Sequence, residues 1–208
     1  MTPPEIVLFD IGNVLIEWQP ERFFDRVMPS SERKRMFDTV DLHRMNDRID
    51  RGANFRETIY QTALENPEFE GPIRMWHDNW PELAAPAIPR SVALNRALRA
   101  KGVHTAILSN IGHETHVIAS KKYPFLSEFD RHFVSAQMEC IKPEPRIYQM
   151  VEESYGVPPN TLLFTDDRLE NIESAKSRGW QTHHFTGPQG WANALVDHGL
   201  LTQDEAHP

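Results

Sequence analysis

The chain has 208 residues, 39% of them apolar and 25% charged, and a formal net charge of −8. That length accommodates one sizeable core plus a modest insert, and the negative balance argues against a nucleic-acid partner, which selects a basic face. No apolar run approaches the roughly 18 residues that cross a bilayer, no signal pattern precedes the first apolar run, and the lone Cys140 has no disulfide partner, so a cytoplasmic protein without a membrane partner is expected.

The first apolar run, EIVLFD (5–10), carries four apolar residues from Ile6 to Phe9 and stops on Asp10. Short runs of this kind, bounded by polar residues, read as buried strands. Residues 17–88 differ: they are rich in Arg, Glu, Phe and Trp and show no strand pattern. Within them PERFFDRVM, SERKRMFDTV, NFRETIYQTALE and GPIRMWHDNW all read as helices, the third opened by Asn54 and Glu57 at capping-box spacing. From 89 onward helices and strands alternate. The helices are 90–102, stopped by Gly102; 145–156, with Pro145 near its start and Gly156 at its end; and 169–179. The strands are HTAILSN (104–110), RHFVSA (131–136), TLLFTD (161–166) and QTHHF (181–185). This alternation predicts an α/β fold, a parallel sheet covered by helices on both faces. The core is expected to span 1–16 and 89–208. Residues 17–88 are expected to form an all-helical cap over the C-terminal edge of the sheet, where open parallel sheets bind ligands.

The strand carboxyl ends deliver Asp10, then Ser109 and Asn110, then Asp166 and Asp167, with Lys142 following the run at 131–136. Each alone reads as ordinary turn or capping chemistry. Together they would gather three carboxylates, a hydroxyl-amide pair and one lysine at one place. Carboxylates that close repel one another and raise each other's pKa; a divalent cation plus one lysine supplies the compensation.

These motifs resemble those of the haloacid dehalogenase-like superfamily, and all four appear in order: FDIGNV (9–14), ILSN (107–110), KPEPRIY (142–148) and LLFTDDRLEN (162–171). The resemblance covers nearly the whole chain and implies a Rossmann-like core with a helical cap. It implies that Asp10 is a nucleophile forming a covalent aspartyl intermediate. Ser109 and Asn110 would hold the transferring group, and Lys142 would neutralise charge on it. Mg²⁺ would be ligated by Asp10, the Gly12 carbonyl and Asp167, with Asp166 supporting Lys142 or a metal-bound water and Asn171 behind them. The implied substrate is a small phosphorylated metabolite.

One position departs from the family. Most of its phosphatases carry an aspartate two residues after the nucleophile as general acid and base, and here that residue is Gly12. A phosphatase would then act on good leaving groups or draw its acid from elsewhere, with His113, Glu21 and His77 as candidates. The DxGNV branch, which includes sugar-phosphate phosphatases, is similar here. A metal-independent 2-haloacid dehalogenase also lacks that aspartate, but the paired acids Asp166 and Asp167 argue against it; a non-catalytic binding protein is the third alternative. Among weaker features, Arg22 is a candidate contact for an anionic substrate. Trp76 and Trp80 are expected to pack the cap or wall a sugar ring, His113 and His116 to lie at the surface or pocket rim, and Cys140 to be buried.

Overall fold

In the computed structural model, which describes residues 3–207, the five apolar runs pair into one parallel sheet. Residues 1, 2 and 208, assigned above to the core, lie outside the described residues. The sheet strands are β1 (Ile6–Phe9), β4 (His104–Ser109), β5 (Arg131–Val134), β6 (Leu162–Asp166) and β7 (Gln181–His184), ordered β5-β4-β1-β6-β7. The chain builds outward from β1 in one direction through β4 and β5, then crosses to the other side for β6 and β7. That reversal at β1 opens a crevice at the strand carboxyl ends.

β1 is central and all four of its residues are buried, which is why it reads as an unbroken apolar run. Its alternate side chains serve two faces. Val7 and Phe9 join a cluster with Val92, Leu94 and Leu98 of α7 (Pro89–Ala100) and Trp191 and Leu195 of α12 (Pro188–Asp197). Phe9 sits edge-on to Trp191 at 5.5 Å between ring centroids. Ile6 and Leu8 meet Ile147, Tyr148 and Val151 of α10 (Pro145–Tyr155) and Ile172 and Ala175 of α11 (Leu169–Ser177). The remaining helices of this part are α8 (His113–Lys122), the short α9 (Ser135–Met138) and α13 (Gln203–Ala206).

Between β1 and α7 run six helices: α1 (Pro20–Val27), α2 (Ser30–Thr39), α3 (Leu42–Asp50), α4 (Phe55–Glu65), α5 (Glu70–Asp78) and α6 (Trp80–Leu83). The Asn54 side chain accepts from the Glu57 N–H at 2.8 Å and starts α4 as its spacing predicts. α3 escaped the sequence reading because it is short and mostly polar, with Leu42, Met45 and Ile49 as its buried stripe. The insert is also not helical to its ends. β2 (Ile16–Trp18) and β3 (Ala84–Ala87) pair antiparallel and form its stem. Ala-Ala-Pro-Ala carries no strand propensity, so this ribbon is set by tertiary pairing.

The buried apolar residues of the insert, among them Phe24, Met36, Ile59 and Trp76, are continuous with the Val7–Phe9 face of the sheet. One close approach is where α3 ends against the loop after β4. A Cβ on Gly112 would lie 2.6 Å from Ile49 Cγ2 and 3.2 Å from the Ile49 carbonyl oxygen. Gly112→Ala is therefore expected to push α3 off the core and destabilise the protein by about 1–3 kcal/mol, read as a lower urea midpoint at unchanged m-value. An unchanged midpoint would show that the two parts are not tightly apposed. Among the described residues no helix is long and apolar enough to cross a membrane.

Candidate active site

Parallel strands in register point their carboxyl ends the same way, and the pairings Phe9↔Ile107 and Phe9↔Thr165 bring three tips level. Asp10, Asp166 and Asp167 thereby place carboxylate oxygens within 4.8 Å of one another. Lys142 reaches them from the loop before α10. Its ammonium donates to Asp10 Oδ1 at 2.8 Å, Asp166 Oδ2 at 2.6 Å and the Leu108 carbonyl at 2.9 Å, which uses all three of its N–H groups. The lysine is 2% exposed, Asp10 7% and Asp166 fully buried.

The arrangement is braced from behind. Asn171 Nδ2 donates to both oxygens of Asp166 at 2.9 and 3.0 Å, and Tyr148 Oη donates to the Asn171 carbonyl at 3.0 Å. Asn110 spends both ends of its amide on Lys142, accepting from its N–H at 2.8 Å and donating to its carbonyl at 3.0 Å. It is thus a clamp on the lysine loop. Ser109 is buried at the end of β4, and its hydroxyl makes no hydrogen bond among the described residues.

Asn13, within the FDIGNV motif, also lines the cavity at the strand tips. Its Nδ2 donates to Asp167 Oδ2 at 2.9 Å, and its Oδ1 accepts from the Trp18 N–H at 2.9 Å. The backbone reversal after β1 takes its positive φ at Asn13 (53°) and not at Gly12; asparagine tolerates that region better than most residues. The signal was present, since Asn at a strand-tip turn is enriched for this conformation. The turn closes through Ile16 N–H to the Ile11 carbonyl at 3.0 Å and Asn13 N–H to the Ile16 carbonyl at 2.7 Å. The Gly12 carbonyl stays outside those bonds.

Burial pushes the Asp10 carboxyl up to about 7; Lys142 opposes this, while Asp166 and Asp167 add to it. Burial likewise raises Asp167, against the hydrogen bond from Asn13. For Lys142 burial pulls down, but Asp10 and Asp166 outweigh it and hold the ammonium charged. One lysine against three carboxylates leaves negative charge in excess. Hard oxygen donors crowded in this way fit a small divalent cation such as Mg²⁺: the Asp10 and Asp167 carboxylates and the Gly12 carbonyl are the groups that would hold it.

A cavity of about 470 Å³ opens onto these groups and is lined by both parts of the chain. The strand tips contribute Asp10, Ser109, Asn110, Lys142 and Asp167; the insert and its stem contribute Trp18, Trp76, Trp80 and four residues of α3. Not every expected residue arrives there. Arg22 is half-exposed and does not itself line the cavity; it bonds to Glu17, which does, and to the Ala85 carbonyl, tying β2 to β3. Glu21, His77 and His113 do not line the cavity either. His116 packs on His132 with ring nitrogens 3.0 Å apart, and burial pushes it down to about 4, so the pair is a neutral packing contact and not a rim or metal site. Cys140 is buried, with Sγ 3.8 Å from the Met150 sulfur.

A model of the haloacid dehalogenase-like hydrolase family matches residues 4–179. The chain is a haloacid dehalogenase-like hydrolase. Among curated relatives of this family, the bifunctional epoxide hydrolase 2 of Rattus norvegicus is 32% identical over 90 residues, 41% of this chain and 16% of that protein. The chain thus spans a small part of that relative's length. A phosphorylated carbohydrates phosphatase of Thermotoga maritima is 26% identical over 181 residues, 84% of this chain and 82% of that one. Haloacid dehalogenases also match. Among solved structures, a HAD family enzyme of Bacteroides thetaiotaomicron superposes with a TM-score of 0.74 at 20% identity, covering 93% of this chain and 99% of that one. That protein has also been crystallised with magnesium and inorganic phosphate.

Proposed function

We propose that this hydrolase is a Mg²⁺-dependent phosphatase of small phosphorylated metabolites, with a sugar phosphate as the best-fitting class. The observation that carries the reading is the trio Asp10, Asp166 and Asp167 with Lys142 as its one ammonium partner, set at a cavity of ligand size. In this reading 1–16 and 89–208 form the catalytic core, and 17–88 is a cap whose inner surface selects the substrate. Asp10 attacks phosphorus and carries the phosphoryl group as an aspartyl phosphate, which water then hydrolyses. The Ser109 hydroxyl donates to a phosphoryl oxygen, and the Lys142 ammonium stabilises charge on the nucleophile and the equatorial oxygens. Asp166 and Asn110 keep Lys142 in place. Bound Mg²⁺ supplies the charge shielding that lets an anionic nucleophile meet a phosphoryl dianion.

Trp18 supports the sugar class: it is the half-buried aromatic side chain of the cavity lining, and the buried Trp76 and Trp80 back it at 5.8 and 6.0 Å between ring centroids. The relatives named as phosphatases of phosphorylated carbohydrates and of N-acetylmuramic acid 6-phosphate support it as well. A dehalogenase working without metal would leave the acidic trio compensated by Lys142 alone. Phosphate release from a panel of sugar and aryl phosphates is expected with Mg²⁺, to stop with excess EDTA and to return when Mg²⁺ is restored. No release from any ester, with chloride release from 2-chloropropionate instead, would overturn the reading.

A further inference from the structure

Gly12 leaves the turn after β1 without a proton donor, and α3 brings one to the cavity from the other side. His43, Asn46, Asp47 and Asp50 recur at three- and four-residue spacing, so they share one helix face, and all four line the cavity. They grade inward, from exposed His43 through half-buried Asn46 and Asp47 to Asp50, which is 7% exposed. Asp50 Oδ2 accepts from Asn46 Nδ2 at 2.8 Å, and its Oδ1 has no hydrogen-bond partner among the described residues.

The backbone of Asp50 is fixed to the catalytic loops. Its carbonyl accepts from Ser135 Oγ at 2.7 Å, and the same Oγ accepts from the Ile111 N–H at 2.9 Å, two residues beyond Ser109. On either side the chain approaches too closely for a side chain: Gly112 lies against Ile49, and a Cβ on Gly52 (φ 104°) would lie 3.0 Å from the Ala136 carbonyl oxygen. Among the described residues Asp50 is the one acid of the insert that is buried, and it lines the cavity on a backbone fixed to the strand-tip loops.

We infer that Asp50 is the general acid and base of the reaction, in place of the residue missing at Gly12. The inference rests on the phosphatase reading. As Asp10 forms its bond to phosphorus, the bond to the leaving oxygen breaks with its electron pair. The Asp50 carboxyl protonates that oxygen, releasing the alcohol and leaving a carboxylate. In the second half Asp50 takes a proton from water as the water oxygen bonds to phosphorus. The Asp10–phosphorus bond breaks, its pair returns to the Asp10 carboxylate, and both aspartates are restored.

The surroundings favour the protonated form. Burial pushes Asp50 up to about 8, and Asp47 and Asp10 add to the shift, against Lys142 and the Asn46 hydrogen bond. Asp47, Asp10, Lys142 and Asn46 act on it directly, and the other charged or titratable groups that share the cavity lining are Glu17, His43, Asp167 and Arg168. A carboxylic acid neutral at pH 7 is in the state that a donor needs.

The test is pre-steady-state release of alcohol or phenol from a series running from alkyl phosphates to p-nitrophenyl phosphate, with Mg²⁺, for the wild type, Asp50→Asn and Asp50→Glu. Asparagine preserves shape and polarity, and thermal melting verifies its fold. For alkyl phosphates Asp50→Asn is expected to lose about 10²–10⁴-fold in rate, and for p-nitrophenyl phosphate far less, because that leaving group needs no proton. Asp50→Glu should recover part of the loss, and the fall in rate as this carboxyl ionises at high pH should disappear in Asp50→Asn. A loss equal across the series, or none, would overturn the role of Asp50 while leaving the phosphatase reading intact. A wild type that cleaves no ester would overturn both.

Discussion

Lys142→Met is expected to destabilise the protein by about 3–5 kcal/mol, the range seen when one member of a buried ion pair is removed. The ammonium is 2% exposed and is the shared partner of Asp10 and Asp166, both buried. A methionine fills the space but leaves two carboxylates facing each other and strands the Leu108 carbonyl. The sign of the pH dependence follows. Burial already raises Asp10 to about 7, far above its value in the unfolded chain, and losing Lys142 raises it further. A group raised on folding contributes its full stability below its unfolded pKa and loses it as pH climbs through the folded value. The deficit of Lys142→Met against wild type should therefore be small near pH 4 and widen toward pH 8. Urea unfolding at both ends of that range measures it; a deficit independent of pH would mean that the ammonium is not what balances these acids. Turnover should vanish as well, since the same group faces the transferring phosphoryl oxygens in the proposed mechanism.

Asp10→Asn is expected to separate activity from stability in the opposite sense. Phosphate release should drop by about 10⁴–10⁶-fold, the scale on which loss of a nucleophile is felt, because an amide oxygen does not form the aspartyl intermediate. Stability should hold or rise. Asparagine removes a carboxylate that burial, Asp166 and Asp167 all disfavour, while Lys142 keeps Asp166 and the Leu108 carbonyl. By the same linkage, any gain over wild type in the metal-free protein should grow from pH 4 to pH 8. Melting in EDTA across that range, beside phosphate assays with Mg²⁺, checks both halves. A variant that is less stable at pH 8 than at pH 4, relative to wild type, would show that Asp10 is ionised at little cost in the metal-free fold.

The strands and their tips were legible without coordinates for one reason. A parallel strand covered on both faces must be an apolar run, so polar residues ending such runs stand out, and parallel strands deliver their ends to one edge. Asp10, Ser109, Asn110, Asp166 and Asp167 follow from that alone, with Lys142 on the loop beside them, and the roles of these residues come from the resemblance. The parallel sheet, its covering by helices on both faces and the family agree with what the alternation and the motifs implied. The insert resisted because its signals are not local. β2 and β3 pair across the whole insert, and Pro86 sits inside a strand that propensity disfavours. Arg22 was placed by charge alone, and Glu17 and the Ala85 carbonyl claim it.

Asp50 marks the boundary most clearly. Its helix shows a polar face at regular spacing, and on a sequence such a face reads as one turned to solvent. Whether water or a cavity lies beyond it depends on where α3 docks, and that is decided by Gly112 meeting Ile49 and by Ser135 holding the Asp50 carbonyl. The sequence by itself determined the sheet and the acids at its edge, because burial writes itself into short runs of residues. The tertiary structure alone decided which acid of the insert faces them, because that contact joins surfaces with no periodicity in common.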